Sequence, residues 1–323
     1  MKSVACTLFE SNYHFGVAAL VNSLYKVGFR GDFYAGFRGK LPQWSSLATI
    51  NANLNWAGAK TMDVAKDLQL HFVPISSSYH LTNYKPNFML QLLQGPAAGA
   101  KSIFYFDPDV VVTRPWSMFN EWINCGIALC EDINSPLPQY HPRRTAWRNY
   151  FEKYGLCLKF KESFYANGGF IGVNLKNVGF LTLWKRIQEA MSFEIGGLQN
   201  SMFRNAKLLE TVGGAFSPFA KTDQDALNAT IEAYNDRISF VSKDGMGFIP
   251  GIQLMHHALG TPKPWNWRPI SQALAGKSPR QVDRLYWQSV AGPIAVNSKF
   301  QIQQQNVAMQ IAAAIGRFYS RNN

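Results

Sequence analysis

Two aspartates flanking a proline, Asp107-Pro108-Asp109, sit inside an apolar run, with Ile103-Phe104-Tyr105-Phe106 before them and Val110-Val111-Val112 after. Apolar, β-prone residues on both sides read as a buried strand interrupted by acid. In an extended backbone residues i and i+2 turn to the same side, so Asp107 and Asp109 point together. Pro108 has no N–H for a sheet ladder, and the strand is expected to break open there. Two carboxylates beside a core strand are costly unless a cation meets them, and a hard divalent metal suits their oxygens. A solvated turn between two short strands is the plain alternative.

Three later stretches also carry chemistry: Asn167-Gly168-Gly169 before the apolar Phe170-Ile171-Gly172-Val173, Asp223-Gln224-Asp225, and His256-His257 running on to Lys263-Pro264-Trp265. The glycines suggest close backbone approach or a tight turn. Thr222 with Asp225 fits a capping box, which gives Asp225 a structural task. Asp223 and Gln224 then fall in the first helical turn, where free N–H groups collect, and Asp223 and Asp225 do not share a helix face.

The elements that must hold these groups read as an open α/β sheet. Ser3–Leu8 is a strand ending at Glu10-Ser11-Asn12-Tyr13, and Val17, Leu20, Val21, Leu24 and Val27 then recur at helical spacing up to Gly28. Ligands of such sheets sit beyond the carboxyl ends of the strands. Residues 32–36 and 70–74 are further strands, and Pro86 opens a helix through Met89, Leu90, Leu92 and Leu93. Residues 125–130 form another buried strand that again ends in acid, Glu131-Asp132. Residues 133–147 are proline-rich and aperiodic and read as a long loop, in which His141, Arg143 and Arg144 are either ordinary solvated residues or contacts to a charged acceptor. Beyond Trp267 the chain turns helical and glutamine-rich, with Val307, Ile311, Ile315 and Phe318 on one face.

The 323 residues suggest about two domains. Charged residues make up 16%, below the usual ~25%, so much of the surface is neutral. The net charge of +12 favours an anionic partner, but the basic residues are scattered, which argues against nucleic acid. Cys6, Cys125, Cys130 and Cys157 form no C-x-x-C pair and read as reduced residues, Cys125 and Cys130 within the core. Glu10 interrupts the first apolar run before a signal peptide forms, and no run reaches the length of a membrane span. The expected location is cytoplasmic and not secreted. Lys299, Arg317 and Arg321 around the apolar C-terminal face allow peripheral contact with an anionic membrane, core packing being the alternative.

Taken in order, Asn12-Tyr13, Asp107-Pro108-Asp109, Asn167-Gly168-Gly169, Asp223-Gln224-Asp225 with Ala226-Leu227-Asn228, and His257 through Trp265 resemble the motifs of the retaining glycosyltransferases of family 8, which include glycogenin and bacterial lipopolysaccharide galactosyltransferases. The H-x-x-G-x-x-K-P-W stretch is the most specific of them, and the resemblance covers roughly residues 1–267 apart from the loop at 133–160. It implies a GT-A fold: a Rossmann-like mixed central sheet with flanking helices, here followed by a helical C-terminal extension at 268–323. Residues to about 115 would form the nucleotide-binding part and 116–267 the acceptor side.

The resemblance further implies a UDP-sugar donor held with Mn²⁺, Mg²⁺ being the alternative ion, and retention of anomeric configuration. Asp107, Asp109 and His257 match the metal ligands, and Lys263 matches the lysine on the diphosphate beside Gly260. Two carboxylates and an imidazole form a mixed donor set that Mn²⁺ tolerates. Glu10 would accept from the uracil N3–H, Tyr13 stack on the base or pack as wall, Asn12 reach the ribose, and Lys85 lie on the phosphate side. Gln224 matches the residue beneath the anomeric carbon, with Asp223 and Asn167 on the sugar hydroxyls. Glutamine is a poor nucleophile, so front-face transfer to a glycan or glycolipid hydroxyl is favoured, with Asp132 as the alternative nucleophile or base. A non-catalytic sugar-nucleotide or glycan-binding module would need a decayed ligand set. A sugar-phosphate nucleotidyltransferase would need a glycine-rich basic loop that Glu10-Ser11-Asn12-Tyr13 does not provide.

Overall fold

The computed structural model describes residues 2–204 and 216–317. Its strands are β1 (Ser3–Glu10), β2 (Gly31–Arg38), β3 (Thr49–Ile50), β4 (Lys60–Ala65), β5 (Leu68–Pro74), β6 (Ser102–Phe106), β7 (Val110–Val112), β8 (Ile127–Cys130), β9 (Phe170–Asn174), β10 (Ile238–Val241) and β11 (Met255–His257). Nine of them form one mixed sheet in the order β10-β8-β9-β6-β1-β2-β5-β4-β3, and β7 pairs with β11 in a separate ribbon. The inner strands β6, β1, β2 and β5 are parallel, and β9 runs antiparallel between β6 and β8.

This topology gathers the acidic ends. β1, β6 and β8 all finish at one edge, in Glu10, Asp107 and Glu131-Asp132, while the antiparallel β9 begins there, just after Asn167-Gly168-Gly169. Backbone bonds lock the edge together: Asp107 N–H donates to Gly169 C=O at 2.8 Å, Asn167 N–H to Cys130 C=O at 2.9 Å, and Asp132 N–H to Tyr165 C=O at 2.7 Å.

The helices are α1 (His14–Lys26), α2 (Lys85–Gln94), α3 (Trp116–Trp122), α4 (Pro142–Glu152), α5 (Gly179–Met191), α6 (Thr222–Ala233), α7 (Pro269–Leu274), α8 (Gln281–Ser289) and α9 (Lys299–Ile315). Alternation along β1 feeds two cores. Val4, Cys6 and Leu8 join Phe88, Trp147 and Trp184 on one face of the sheet; Ala5 and Phe9 join Val17, Leu20 and Phe104 on the other. A third cluster joins Ala19 and Val111 to Tyr286, Trp287, Val290 and Met309, so the C-terminal helices pack on α1 and β7. Asn22, buried in α1, clasps them by donating to the carbonyls of Ser289 and Ile294 and accepting from Ile294 N–H, each at 2.9 Å.

The mixed sheet, flanking helices and helical C-terminal segment match expectation, and several local readings do not. The stretch at 133–147 is not all loop, because α4 begins at Pro142, whose missing N–H is harmless in a first turn. Arg144 is buried within it, donating to Glu232 and to the Phe164 carbonyl at 2.5 Å each, so it is a structural cation and not a solvated loop residue. Cys130 is core, but Cys125 and Cys157 are exposed; Gly126 turns the chain at φ +146, and the buried strand starts only at Ile127. The Thr222–Asp225 capping box does not form, because Lys221 is the N-cap and Thr222 already lies in the helix, its hydroxyl without a partner among the described residues. On α9, Met309 and Ala312 face the core, whereas Val307 and Ile311 are about half exposed at 48% and 46%. Phe318 and Arg321 lie outside the described residues. Among the described residues no helix is long and apolar enough to cross a membrane.

Candidate active site

The Asp-Pro-Asp stretch breaks the strand as expected but by a different geometry. β6 stops at Phe106, residues 107–109 form a turn closed by Val110 N–H donating to Asp107 C=O at 3.1 Å, and β7 leaves the main sheet to pair with β11. That pairing sets His257 opposite Val110 and His256 opposite Val111. Successive residues of a strand face opposite ways, so His257 turns to the carboxylates while His256 is buried against Gly247. Asp107, Asp109 and His257 thereby offer ligand atoms within 4.8 Å of one another.

Glycines at three positions permit this approach. A Cβ on Gly16 in α1 would strike the Pro108 carbonyl oxygen and come within 2.8 Å of the Trp265 ring. A Cβ on Gly169 would lie 2.6 Å from the His257 ring, and one on Gly168 would lie 3.1 Å from the Asp223 carboxylate. The helix, the Asn-Gly-Gly turn and the metal-type cluster are therefore packed at backbone contact distance.

The cations are distributed unevenly. Lys85, 1% exposed, donates to Gly168 C=O at 2.8 Å and Asp223 at 3.0 Å and lies 3.1 Å from Asp107. Burial opposes its charge, but the two carboxylates outweigh that and hold its pKa above the ordinary lysine value. Tyr105, two residues along β6, also donates to Asp107 at 2.9 Å. Lys263 donates to Asp109 at 2.5 Å and to Ala258 C=O at 2.7 Å. Burial would raise the Asp109 pKa, yet His257 in its protonated form, and Lys263 beside it, hold it well below the usual carboxylate range.

No protein-family model and no curated protein matches the chain. Among solved structures it is similar to the bifunctional glycosyltransferase WbbM, at 13% identity over 95% of this chain and 52% of that one, TM-score 0.48. It is similar to the galactosyltransferase LgtC in complex with donor and acceptor sugar analogues, at 13% identity over 94% of this chain and 99% of that one, TM-score 0.47. A third is the glycosyltransferase GlyE of Streptococcus pneumoniae, at 14% identity over 96% of this chain and 64% of that one, TM-score 0.48. The chain thus spans about half of WbbM and under two thirds of GlyE. These likenesses are distant, and the chemistry of the site rests on its own geometry.

That geometry fits a divalent cation. Asn167 donates from Nδ2 to Asp132 at 2.6 Å, and its Oδ1 accepts from Gly169 N–H at 2.8 Å. Its oxygen is therefore the end that meets His257 Nδ1 at 3.1 Å, so the hydrogen of a neutral ring is assigned to Nδ1. The lone pair on Nε2 then faces Asp109 at 3.2 Å and Asp107 at 3.9 Å. Three negative or lone-pair donors converging on one point repel each other unless a cation lies among them. Holding a histidine through its other nitrogen is the usual way a metal ligand is oriented.

Around this cluster the other expected residues take defined places. Gln224 is buried; its Oε1 accepts from Gly168 N–H at 3.2 Å, and its side chain lies beside the Tyr165 hydroxyl. Asp132 is held by Asn134 and Asn167, with Lys221 at 3.6 Å; burial would raise its pKa, and these partners bring it below the ordinary value. Glu10, at the end of β1, lies 3.5 Å from Arg38, and Asn12 is exposed beside it. Tyr13 leans edge-on against Trp265 at 5.4 Å. Its phenol is pushed up to about 12 by burial and then by the charges of Asp109 and Asp107. Gly260 adopts φ +70 with nothing near the position a Cβ would take. Three neighbours lacked any motif that singled them out: Tyr105 on Asp107, Tyr165 donating to Asp225 at 2.7 Å, and Lys221 beside Asp132. Each works through a partner distant in sequence or through strand alternation, and only the alternation of Tyr105 with Asp107 was readable locally.

Proposed function

We propose that the chain is a metal-dependent retaining glycosyltransferase that moves a hexose from a UDP-sugar to a glycan or glycolipid hydroxyl. The observation that carries this reading is the convergence of Asp107, Asp109 and His257 within 4.8 Å, with Lys263 bonded to Asp109. Carboxylate and imidazole donors suit Mn²⁺, with Mg²⁺ the alternative, and such an ion supplies Lewis acidity toward the departing diphosphate.

The remaining work falls to the chain's own groups. Lys263 offers an ammonium to the diphosphate, and Gly260 leaves room for it. Glu10 accepts from the uracil N3–H, Asn12 reaches the ribose, and Tyr13, propped by Trp265, presents its ring to the base. Lys85 fixes Asp107 and Asp223 in relation to each other, which orients Asp223 toward the sugar hydroxyls. Asn167 keeps the His257 tautomer that leaves Nε2 free. Residues to about 115 supply the nucleotide contacts in this reading, and 116–267 the acceptor side.

Transfer by front-face displacement agrees with the side chains available. The acceptor hydroxyl attacks the anomeric carbon on the face from which UDP departs. The carbon–oxygen bond to the diphosphate breaks, the bond to the acceptor oxygen forms, and the hydroxyl proton passes to the departing phosphate oxygen. Gln224 is no nucleophile, and its amide N–H can donate to the sugar or the leaving oxygen. Asp132, held below the ordinary carboxylate pKa, is a weak base.

Incubation with UDP-glucose or UDP-galactose, Mn²⁺ and a glycan panel tests this, with UDP release and the anomeric proton of the product as readouts. Release that depends on Mn²⁺, and a product of unchanged configuration, are expected; inversion would remove the mechanism. Peripheral contact of the exposed Phe300, Val307 and Ile311 on α9 with anionic lipid belongs to the same reading. Absence of flotation with anionic liposomes at low salt would remove that part alone.

A further inference from the structure

Two cations near Asp132 and Gln224 keep their side-chain donors unspent. Arg143, in the first turn of α4, lies with a guanidinium nitrogen 3.7 Å from Asp225, and its buried Nε has no hydrogen-bond partner among the described residues. Lys221, the N-cap of α6, lies 3.6 Å from Asp132 and 5.9 Å from the centre of the Tyr165 ring. Both separations exceed the ~3.2 Å reach of an N–H···O bond. The carboxylates therefore attract these groups without taking up their donors.

Neighbouring cations spend most of their donors on protein oxygens. Arg144 donates to Glu232 and to Phe164 C=O, with only its Nε unpartnered among the described residues, Arg148 donates to Glu232 at 2.8 Å, and Lys85 meets three oxygens. The carboxylates beside Arg143 and Lys221 are also already occupied. Asp132 accepts from Asn134 and Asn167, and Asp225 accepts from the Tyr165 hydroxyl and the Lys221 N–H. Among the described residues Arg143 and Lys221 thus carry surplus donors, and the buried Arg143 Nε–H, left unpaired, costs on the order of 1–3 kcal/mol unless something meets it.

Their position says what that something touches. Asp132 is bonded to Asn167, which contacts His257, and Asp225 follows Gln224 directly in α6. Lys263, by contrast, is bonded to Asp109, on the diphosphate side of the proposed reaction. The side chains of Arg143 and Lys221 retain 18% and 27% exposure, enough for a ligand to reach them. Both flank the Tyr165–Asp225 pair, Arg143 beside the Asp225 oxygen to which Tyr165 donates and Lys221 over the Tyr165 ring, and a guanidinium fork and an ammonium each recognise an oxyanion.

Resting on the transferase reading, we infer that the acceptor carries an anionic oxygen group, a carboxylate or a phosphate, and that Arg143 and Lys221 bind it. The net charge of +12 is in keeping with an anionic partner. Arg143 would supply the directional contact and Lys221 the longer-range attraction. A neutral sugar would leave both sets of donors unpaired and would be discriminated against on that ground.

The test is ligand-observed NMR on the full chain loaded with Mg²⁺ and UDP, using glucose, glucuronate and glucose 6-phosphate as probes. At least one of the two anions should show saturation transfer at millimolar concentration where glucose shows none, and the one that binds tells carboxylate from phosphate. Arg143→Gln/Lys221→Gln should weaken that binding tenfold or more while UDP binding persists, and Arg143→Lys should restore part of it. Lys221→Gln alone covers the case in which the double variant fails to fold. No binding by either anion, or equal binding in the variants, overturns the inference. Failure of the unaltered protein to bind Mg²⁺ and UDP would instead strike the transferase reading itself.

Discussion

The Asn167 side chain joins His257 to Asp132: its oxygen lies 3.1 Å from His257 Nδ1, and its nitrogen donates to Asp132 across 2.6 Å. Asn167→Ala removes both contacts and leaves the His257 ring without its orienting acceptor. Affinity for Mn²⁺ should fall by about 10–100-fold, the range expected when a metal ligand loses its orienting partner. Calorimetric titration of the unliganded protein measures it, and unchanged affinity would show that the contact does not orient His257.

Lys85 is the buried counter-ion of both Asp107 and Asp223. Lys85→Met leaves two carboxylates without it and should destabilise the fold by about 3 kcal/mol, the low end for a broken buried pair because Asp107 is 21% exposed. Urea denaturation reads this directly. A loss below about 1 kcal/mol would mean that solvent already compensates the carboxylates.

The N-terminal half-turn of α1 has no room for a methyl group. Gly16→Ala pushes against a backbone carbonyl, that of Pro108, and against the Trp265 ring. A cost of roughly 1–3 kcal/mol is expected for such overpacking, together with weaker Mn²⁺ binding because the Asp-Pro-Asp turn must shift. Stability and metal affinity measured on the same variant should move together.

Asp225 gives the protein a pH dependence of known sign. Burial pushes its carboxyl up to about 7, against the opposing effects of Arg143, Tyr165 and Lys221. The unfolded chain releases this proton near pH ~3.9, so between the two values the folded form holds more protons. The stability contribution is full below the unfolded value and is lost as pH rises through about 7, by on the order of 4 kcal/mol. Asn at this position can still accept from the Lys221 N–H and donate to the Tyr165 hydroxyl. Between pH 5 and pH 8 the unfolding free energy of the protein, compared with that of Asp225→Asn, should fall by about 3 kcal/mol, since part of the effect is already lost at pH 5, and parallel curves would place the titration elsewhere.

Where a signal is local the sequence was readable. The period-2 and helical patterns located β1, α1 and α2, and the proline between two aspartates marked the break after β6. What stayed hidden depends on distant contacts. Arg144 reads as an ordinary loop cation because its partner Glu232 is 88 positions away. The shared role of Lys85 depends on Asp223, 138 positions away. The capping box at Thr222 had the right residue types, but Asp225 reaches back to the Lys221 N–H instead and shifts the start of α6 by one residue. Asp107 and Asp109 were expected to converge along a strand; they converge in a turn, and His257 is added by a ribbon whose pairing no local pattern specified.

Thermal denaturation with UDP, in the presence of Mn²⁺ or of a chelator, tests the metal-dependent donor site most directly. UDP should raise the midpoint only when Mn²⁺ is present, by an amount that grows with UDP concentration, and the effect should vanish in Asp109→Asn. Equal stabilisation by UDP in chelator, or undiminished stabilisation in Asp109→Asn, would contradict a nucleotide held through a cation at Asp107, Asp109 and His257.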